Sequence, residues 1–243
     1  MPEIKVIYKT SDFLVINKPA GVLVHRPVGS KFLNSSNNTV VSWLLDNYPE
    51  VRNVGEKFRP GIVHRLDRDT SGAMIIALNQ KSFDYFKNLF KQEEVKKTYL
   101  ALIFGIVPKS GKIDKPIGLS RKGVVKRTTY LKKAKLVKSA VTLYQRIKSF
   151  KFKGQEFSLV KVIPLTGRTH QIRIHFSSIH HPIVGDSMYG RKSNPFGLKR
   201  PFLHSLSLEF NSFLQREGRV RIEAGLPADL EDVLNALQFK MNG

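Results

Sequence analysis

Gly61-Ile-Val-His-Arg-Leu-Asp-Arg-Asp-Thr-Ser-Gly72 leads without a break into Ala73-Met-Ile-Ile-Ala-Leu78. The first part is a polar loop closed by glycines, and the second is an apolar run that predicts a buried strand. A loop carried by a rigid strand is a common seat for catalytic side chains. This one gathers His64, Arg65, Asp67, Arg68, Asp69, Thr70 and Ser71. A carboxylate between arginines is held ionised by the neighbouring positive charge. An ionised carboxylate serves as nucleophile or base. The plainer alternative is a solvated turn with local Arg–Asp pairing.

Outward from this loop the chain reads as alternating strands and helices. Residues 4–8 and 13–17 predict a hairpin, and Pro19 and Gly21 a turn after it. Thr39 predicts the cap of a helix over residues 40–48, with Val40, Trp43, Leu44 and Tyr48 inward and Pro49 ending it. Asn79 caps a second helix over 80–91, with Phe83, Phe86, Leu89 and Phe90 packed inward. Residues 97–104 read as a strand on which Tyr99 faces away from Thr98 and Leu100. Strands follow over 140–150 and 155–163, joined at Lys153-Gly154, and later over 203–210 and 219–224. Thr169 predicts the cap of a helix bearing Ile172, Phe176 and Ile179 inward, and its first-turn amines beside Arg168 suit an anion. Pro227 opens a last helix with Asp229, Glu231 and Asp232 in its first turns. No repeat or low-complexity linker divides the 243 residues, which predicts a single domain over 1–243.

Composition narrows the partner. Lys and Arg number 41 against 19 Asp and Glu, a net charge of +22. Such an excess favours a nucleic acid. Eight of the cations, Arg121, Lys122, Lys126, Arg127, Lys132, Lys133, Lys135 and Lys138, fall in one stretch. That stretch reads as a phosphate-contacting hairpin or arm, with Tyr130 available to stack on a base. The chain has no cysteine, which excludes disulfides and thiolate chemistry. No signal-peptide pattern and no membrane-length apolar run is present, so the expectation is a cytoplasmic protein without a membrane partner. His170, His175 and Asp186 fall in no compact ligand pattern, and hydrogen-bonded histidines are expected in place of a metal site.

Asn17-Lys-Pro-Ala-Gly21 with Val24-His25, His64-Arg-Leu-Asp67 with Thr70-Ser-Gly72, Lys97-Thr-Tyr99, Thr166-Gly-Arg-Thr-His-Gln-Ile-Arg173, His181-Pro-Ile-Val-Gly-Asp186, Tyr189-Gly190 and Leu203-His204 occur in this order. The series closely resembles the RluA-type pseudouridine synthases over nearly the whole chain. The resemblance implies an α+β fold with a mixed, mostly antiparallel central sheet, flanking helices and a catalytic cleft. It implies isomerisation of uridine to pseudouridine in rRNA or tRNA, with no metal or organic cofactor; a monomer is the default expectation. Asp67 matches the essential aspartate, acting at the ribose either on C1′ or on the 2′ proton. Tyr99 matches the tyrosine that contacts the flipped base, and Arg173 the arginine that pairs with the catalytic carboxylate. Arg65 matches the residue that enters the space left by the base. Arg65, His64, Arg168, His170, Lys18 and Leu203 are thereby placed around the substrate. Of these, His64, Arg168 and His170, with Thr70 and Ser71, shape the loop and its surroundings. The pattern starts close to the N-terminus, which implies the short form of the family without an S4 domain. His180 stands where a glycine usually precedes His-Pro, so the turn there is expected to differ. A non-catalytic RNA-binding or ribosome-assembly protein is the alternative reading.

Overall fold

The structure is a computed structural model that describes residues 2–26, 38–120, 127–130, 132, 134–213 and 218–240. The first elements are β1 (Lys5–Lys9), β2 (Phe13–Lys18), α1 (Val40–Asn47), β3 (Gly55–Glu56), β4 (Arg59–Pro60), β5 (Ser71–Ala77) and α2 (Gln80–Lys91). Next come β6 (Lys96–Phe104), β7 (Ser110–Asp114), β8 (Ile117–Ser120), β9 (Arg127–Thr128), β10 (Ala134–Lys138), β11 (Val141–Phe152) and β12 (Gln155–Pro164). The chain ends through α3 (Gln171–Ser178), β13 (Leu203–Asn211), β14 (Arg219–Glu223) and α4 (Ala228–Ala236). The architecture is α+β with mixed, mostly antiparallel strand pairing, as the resemblance implied. Two compact units form, Met1–Lys96 with Ser205–Gly225 and Lys97–His204 with Leu226–Gly243.

In the first unit β2 lies between β1 and β5, running antiparallel to both, and pairs with β5 from Phe13↔Ala77 to Lys18↔Gly72. Beyond β5 lies β13, which carries β14. All seven residues of β5 are buried. A strand covered on both faces needs a near-continuous apolar run, and residues 73–77 supply it. Gly72 has φ +118, and a Cβ there would overlap the carbonyl of Ser205 on β13. Only glycine therefore permits the two strands to approach so closely. Asn79 caps α2 by accepting from Ser82 N at 2.9 Å, as expected. Phe86 of this helix meets Phe13 and Phe210 edge-on at 4.9 and 5.2 Å. Thr39 caps α1 as expected, in a reciprocal box with Ser42. Trp43 departs from the inward stripe: it is half-buried and leans on Tyr48 at 6.0 Å.

In the second unit β6, β12, β11 and β7 follow one another, each antiparallel to the next. The β11–β12 hairpin turns through Lys153 and Gly154, at φ +46 and +73, between the paired Phe152 and Gln155. Two positive φ values mark the turn whose twist suits a two-residue hairpin. Leu230, Val233 and Leu234 of α4 join a core with Leu102, Phe157, Phe176 and Phe202. The basic stretch holds a small sheet ordered β10-β8-β9. Arg121, Lys122, Lys126 and Lys133 lie outside the described residues.

Helix α3 departs from expectation at both its start and its faces. Its N-cap is His170, in the left-handed region at φ +56, and not Thr169. No side chain caps the first turn; Gln171 Oε1 instead accepts from Arg168 N and from the Thr166 hydroxyl, both upstream of the helix. Residues Gln171 to Phe176 are all buried, so the helix has no single inward stripe. Its polar members are buried with partners, the condition under which polar groups are tolerated inside.

Candidate active site

The loop before β5 is built from its backbone outward. Fully buried Lys18 at the end of β2 points Nζ at three carbonyls, those of Pro19 and Val22 at 2.8 Å and Arg68 at 2.9 Å. Gly21, at φ +83, sends its N–H to the same Arg68 carbonyl at 2.9 Å. The turn closes as Thr70 N donates to Asp67 O at 3.2 Å, with Thr70 and Ser71 buried beneath it. His64 accepts through Nε2 from Ile75 N at 2.9 Å, which leaves its ring proton on Nδ1. Its ring stacks on Phe90 at 4.3 Å, so the outermost aromatic of the α2 stripe steadies the loop. Asp67 stands on this pinned turn, half-exposed.

The arginines beside Asp67 divide between the two readings of the sequence. Arg68 pairs with Asp69 at 3.0 Å on the surface, and that contact raises its pKa. Exposed Arg65 reaches His25 Nε2 at 3.3 Å. Burial lowers the pKa of His25, and the charges of Arg65 and Arg59 add to the effect, so an uncharged ring faces the arginine.

In the second unit Tyr99 of β6 is half-exposed, while Thr98 and Leu100 on the other face are buried. Arg173 on α3 is buried in a two-pronged pair, Nε to Asp186 Oδ2 at 2.6 Å and Nη2 to Oδ1 at 2.8 Å. Asp186 is itself fixed by the N–H groups of Met188 and Tyr189 at 3.0 and 3.1 Å. The Tyr189 ring lies under the guanidinium, 5.1 Å from ring centre to Cζ. A planar guanidinium clamped along one edge keeps its charge in a fixed direction. The motif held both members of this clamp, but no rule of spacing connects residues 173 and 186.

Several expected substrate residues have structural partners. Arg168 donates Nε to Ser139 O at 2.9 Å, and its N–H donates to Gln171 Oε1. His170 Nδ1 lies 2.9 Å from the Tyr189 hydroxyl. Leu203 is buried in the core of its unit. His175 sits between Thr142 Oγ1 and Lys115 O, and His181 Nδ1 lies 2.9 Å from Phe104 O. Among the described residues no group of three or more His, Cys, Asp or Glu could hold a metal ion. No helix there is long and apolar enough to cross a membrane.

Comparison with known proteins gives these positions a context. The family model of RNA pseudouridylate synthases matches residues 12–178, which include Asp67, Tyr99 and Arg173. The chain belongs to this family. It is 38% identical to a protein of Chloroflexus aurantiacus named as an uncharacterized RNA pseudouridine synthase, over 91% of this chain and 66% of that one. It is 33% identical to ribosomal large subunit pseudouridine synthase D of Yersinia pestis, over 96% of this chain and 70% of that one. Among solved structures, human RNA pseudouridylate synthase domain containing 1 aligns with a TM-score of 0.73 at 26% identity, covering 99% of this chain and 97% of that one. The chain thus spans just under two thirds of the Chloroflexus protein's length.

Proposed function

We propose that this chain isomerises uridine to pseudouridine in structured RNA, with Asp67 as the catalytic carboxylate. The observation that carries the reading is Asp67 itself, half-exposed on a turn held from behind by Lys18 and from the side by His64. Chemistry at an anomeric carbon requires a carboxylate whose position is fixed before the substrate arrives. Asp67 acts at the ribose while the bond from C1′ to N1 breaks, and the base turns and rejoins through C5. Tyr99 contacts the flipped base and removes the C5 proton, and N1 carries a proton in the product. Arg173, held by Asp186, takes the part that the family resemblance implied for it. Arg65 fills the space that the extruded base leaves, offsetting part of the few kcal/mol that unstacking costs.

Ribosomal RNA is the favoured substrate, on the strength of relatives named as large-subunit synthases, and tRNA the second. The net charge of +22 supports binding to either, and Arg127, Lys132, Lys135 and Lys138 are the described cations of the proposed arm. The protein works as a cytoplasmic monomer with one catalytic domain. Purified protein converts uridine in ribosomal RNA transcripts, read by pseudouridine mapping. Asp67→Asn lowers conversion by at least about a thousandfold while RNA affinity stays within about threefold, a loss in the range set by removing one essential group. Unchanged conversion by Asp67→Asn would remove that residue from its role. RNA binding without any conversion by the wild type would favour the assembly-protein alternative.

A further inference from the structure

His25, in the motif Val24-His25, takes no part in the reaction described above. Its backbone is pinned from behind. The carbonyls of Leu23 and Val24 accept from the first N–H groups of α1, those of Val40 at 2.9 Å and Val41 at 3.0 Å, which the helix itself leaves open. Its ring sits between an obligate acceptor and an obligate donor. Nδ1 lies 2.9 Å from the Arg26 carbonyl, which can only accept. Nε2 lies 3.3 Å from Arg65 Nη1, which can only donate. One form meets both conditions, the neutral ring with its proton on Nδ1. The charges around the ring come from two directions, Arg65 from the loop before β5 and Arg59 and Glu56 from the β3–β4 hairpin. Burial first, then the two arginines, oppose a second proton; the Arg26 carbonyl and Glu56 favour it without prevailing.

Arg65 differs from its neighbouring arginines in what holds it. Arg59 is closed on Glu56 by two bonds, at 2.6 and 2.9 Å, and Arg68 is closed on Asp69. A carboxylate neutralises an arginine and grips it by charge-assisted bonds. An uncharged imidazole fixes the direction of the guanidinium and leaves its charge unspent. His64, bonded to Ile75 N, and buried Leu66 fix the backbone on either side. The side chain is thus aimed in advance yet lightly held, as suits a residue that must move onto RNA. We propose that His25 is the positioning residue for Arg65: its neutral ring parks the guanidinium in the free protein and yields it to the space that the extruded base leaves. The inference rests on the enzymatic reading above and on the part that reading gives Arg65. Ordering the arginine beforehand reduces the entropy lost on binding, a gain of about fivefold for one long side chain. It also makes extrusion sensitive to pH. A proton on Nε2 sets N–H against N–H and charge against charge, which releases Arg65. The advantage is whole above the pKa of the folded ring, which lies below the ordinary 6.5, and is lost as pH falls through it.

The test uses the full chain and a ribosomal RNA transcript that the wild type converts, carrying 2-aminopurine next to the target uridine so that fluorescence rises as the stack opens. His25→Leu removes the acceptor and keeps an apolar body. It should slow extrusion about fivefold at pH 8, with the melting temperature within about 3 °C of wild type. His25→Gln offers Oε1 in the place of Nε2 and does not titrate. It should extrude within about twofold of wild type at pH 8. From pH 8 to 4.5 the wild type should fall toward His25→Leu, while His25→Gln keeps its lead over that variant. His25→Leu/Arg65→Ala should be no slower than Arg65→Ala alone, because His25 acts only through the arginine. Wild-type extrusion by His25→Leu, a parallel decline of wild type and His25→Gln with pH, or multiplying defects in the double variant would overturn the inference and leave the enzymatic reading standing. A wild type that converts no RNA would bring down that reading and this inference with it.

Discussion

Lys18 and Asp67 show how a buried charge and a half-exposed one share a turn of chain. The ammonium is held by three carbonyls, and one of them belongs to the residue next to the carboxylate. Lys18→Met would leave those oxygens facing a methyl group. We expect it to lower unfolding free energy by about 3 kcal/mol in urea titration, the upper range for orphaned buried acceptors. Conversion should fall with Asp67 untouched. His180 teaches a different lesson. It stands where the family usually has glycine, and it adopts φ +66, the left-handed region that glycine occupies without strain. It is exposed, and its N–H reaches Ser177 O at 3.1 Å in a way any residue can reproduce. His180→Gly should therefore raise stability by about 0.5–1 kcal/mol, relief of the left-handed cost less the greater freedom of unfolded glycine, seen as a higher melting temperature.

Among the elements, α3 concentrates most of what is unusual. Its buried His175 donates Nε2–H to the Lys115 carbonyl and accepts at Nδ1 from the Thr142 hydroxyl, which in turn accepts from Gln171 Nε2. Both nitrogens of the neutral ring are thus satisfied, and burial lowers its pKa from the ordinary histidine value near 6.5. Above that value neither folded nor unfolded ring binds a proton, and its contribution to stability is complete. Below it the unfolded ring binds a proton that the folded ring refuses, so stability falls as pH falls. The slope is at most about 1.4 kcal/mol per pH unit for this group. Urea unfolding from pH 7.5 to 5 should show that decline, and His175→Gln should reduce it. His25, lowered chiefly by its own burial, retains the remainder. These elements also mark what a sequence can disclose. Helix α2 was legible to the residue because Asn79 and its stripe are local signals. The start of α3 was not, because His170 opens it in the left-handed region and Gln171 reaches back to Thr166 and Arg168, bonds that no local signal shows. Asp67, Tyr99 and Arg173 were legible through the motifs. The Asp186 clamp, the three carbonyls of Lys18 and the pairing of Arg200 with Asp229 at 2.6 Å were not, since each joins residues that only the fold brings together.

At the scale of the whole molecule the charge of +22 makes one quantitative demand. If about five phosphates are neutralised, affinity for RNA should fall about a hundredfold between 50 and 200 mM salt, by the single-strand slope of counterion release. A filter-binding series checks this, and a flat response would mean that the charge is not spent on the backbone of RNA. The order in which the chain builds its units has a consequence for biosynthesis. Gly72 and Ala73 are matched to Ser205, whose hydroxyl donates to the Ala73 carbonyl 132 residues earlier in the chain. A ribosome making this protein therefore finishes the whole middle of the polypeptide before the first unit receives the strand beside β5. Until then the loop bearing Asp67 leads into a nascent sheet with an open border, and that loop matures late in translation.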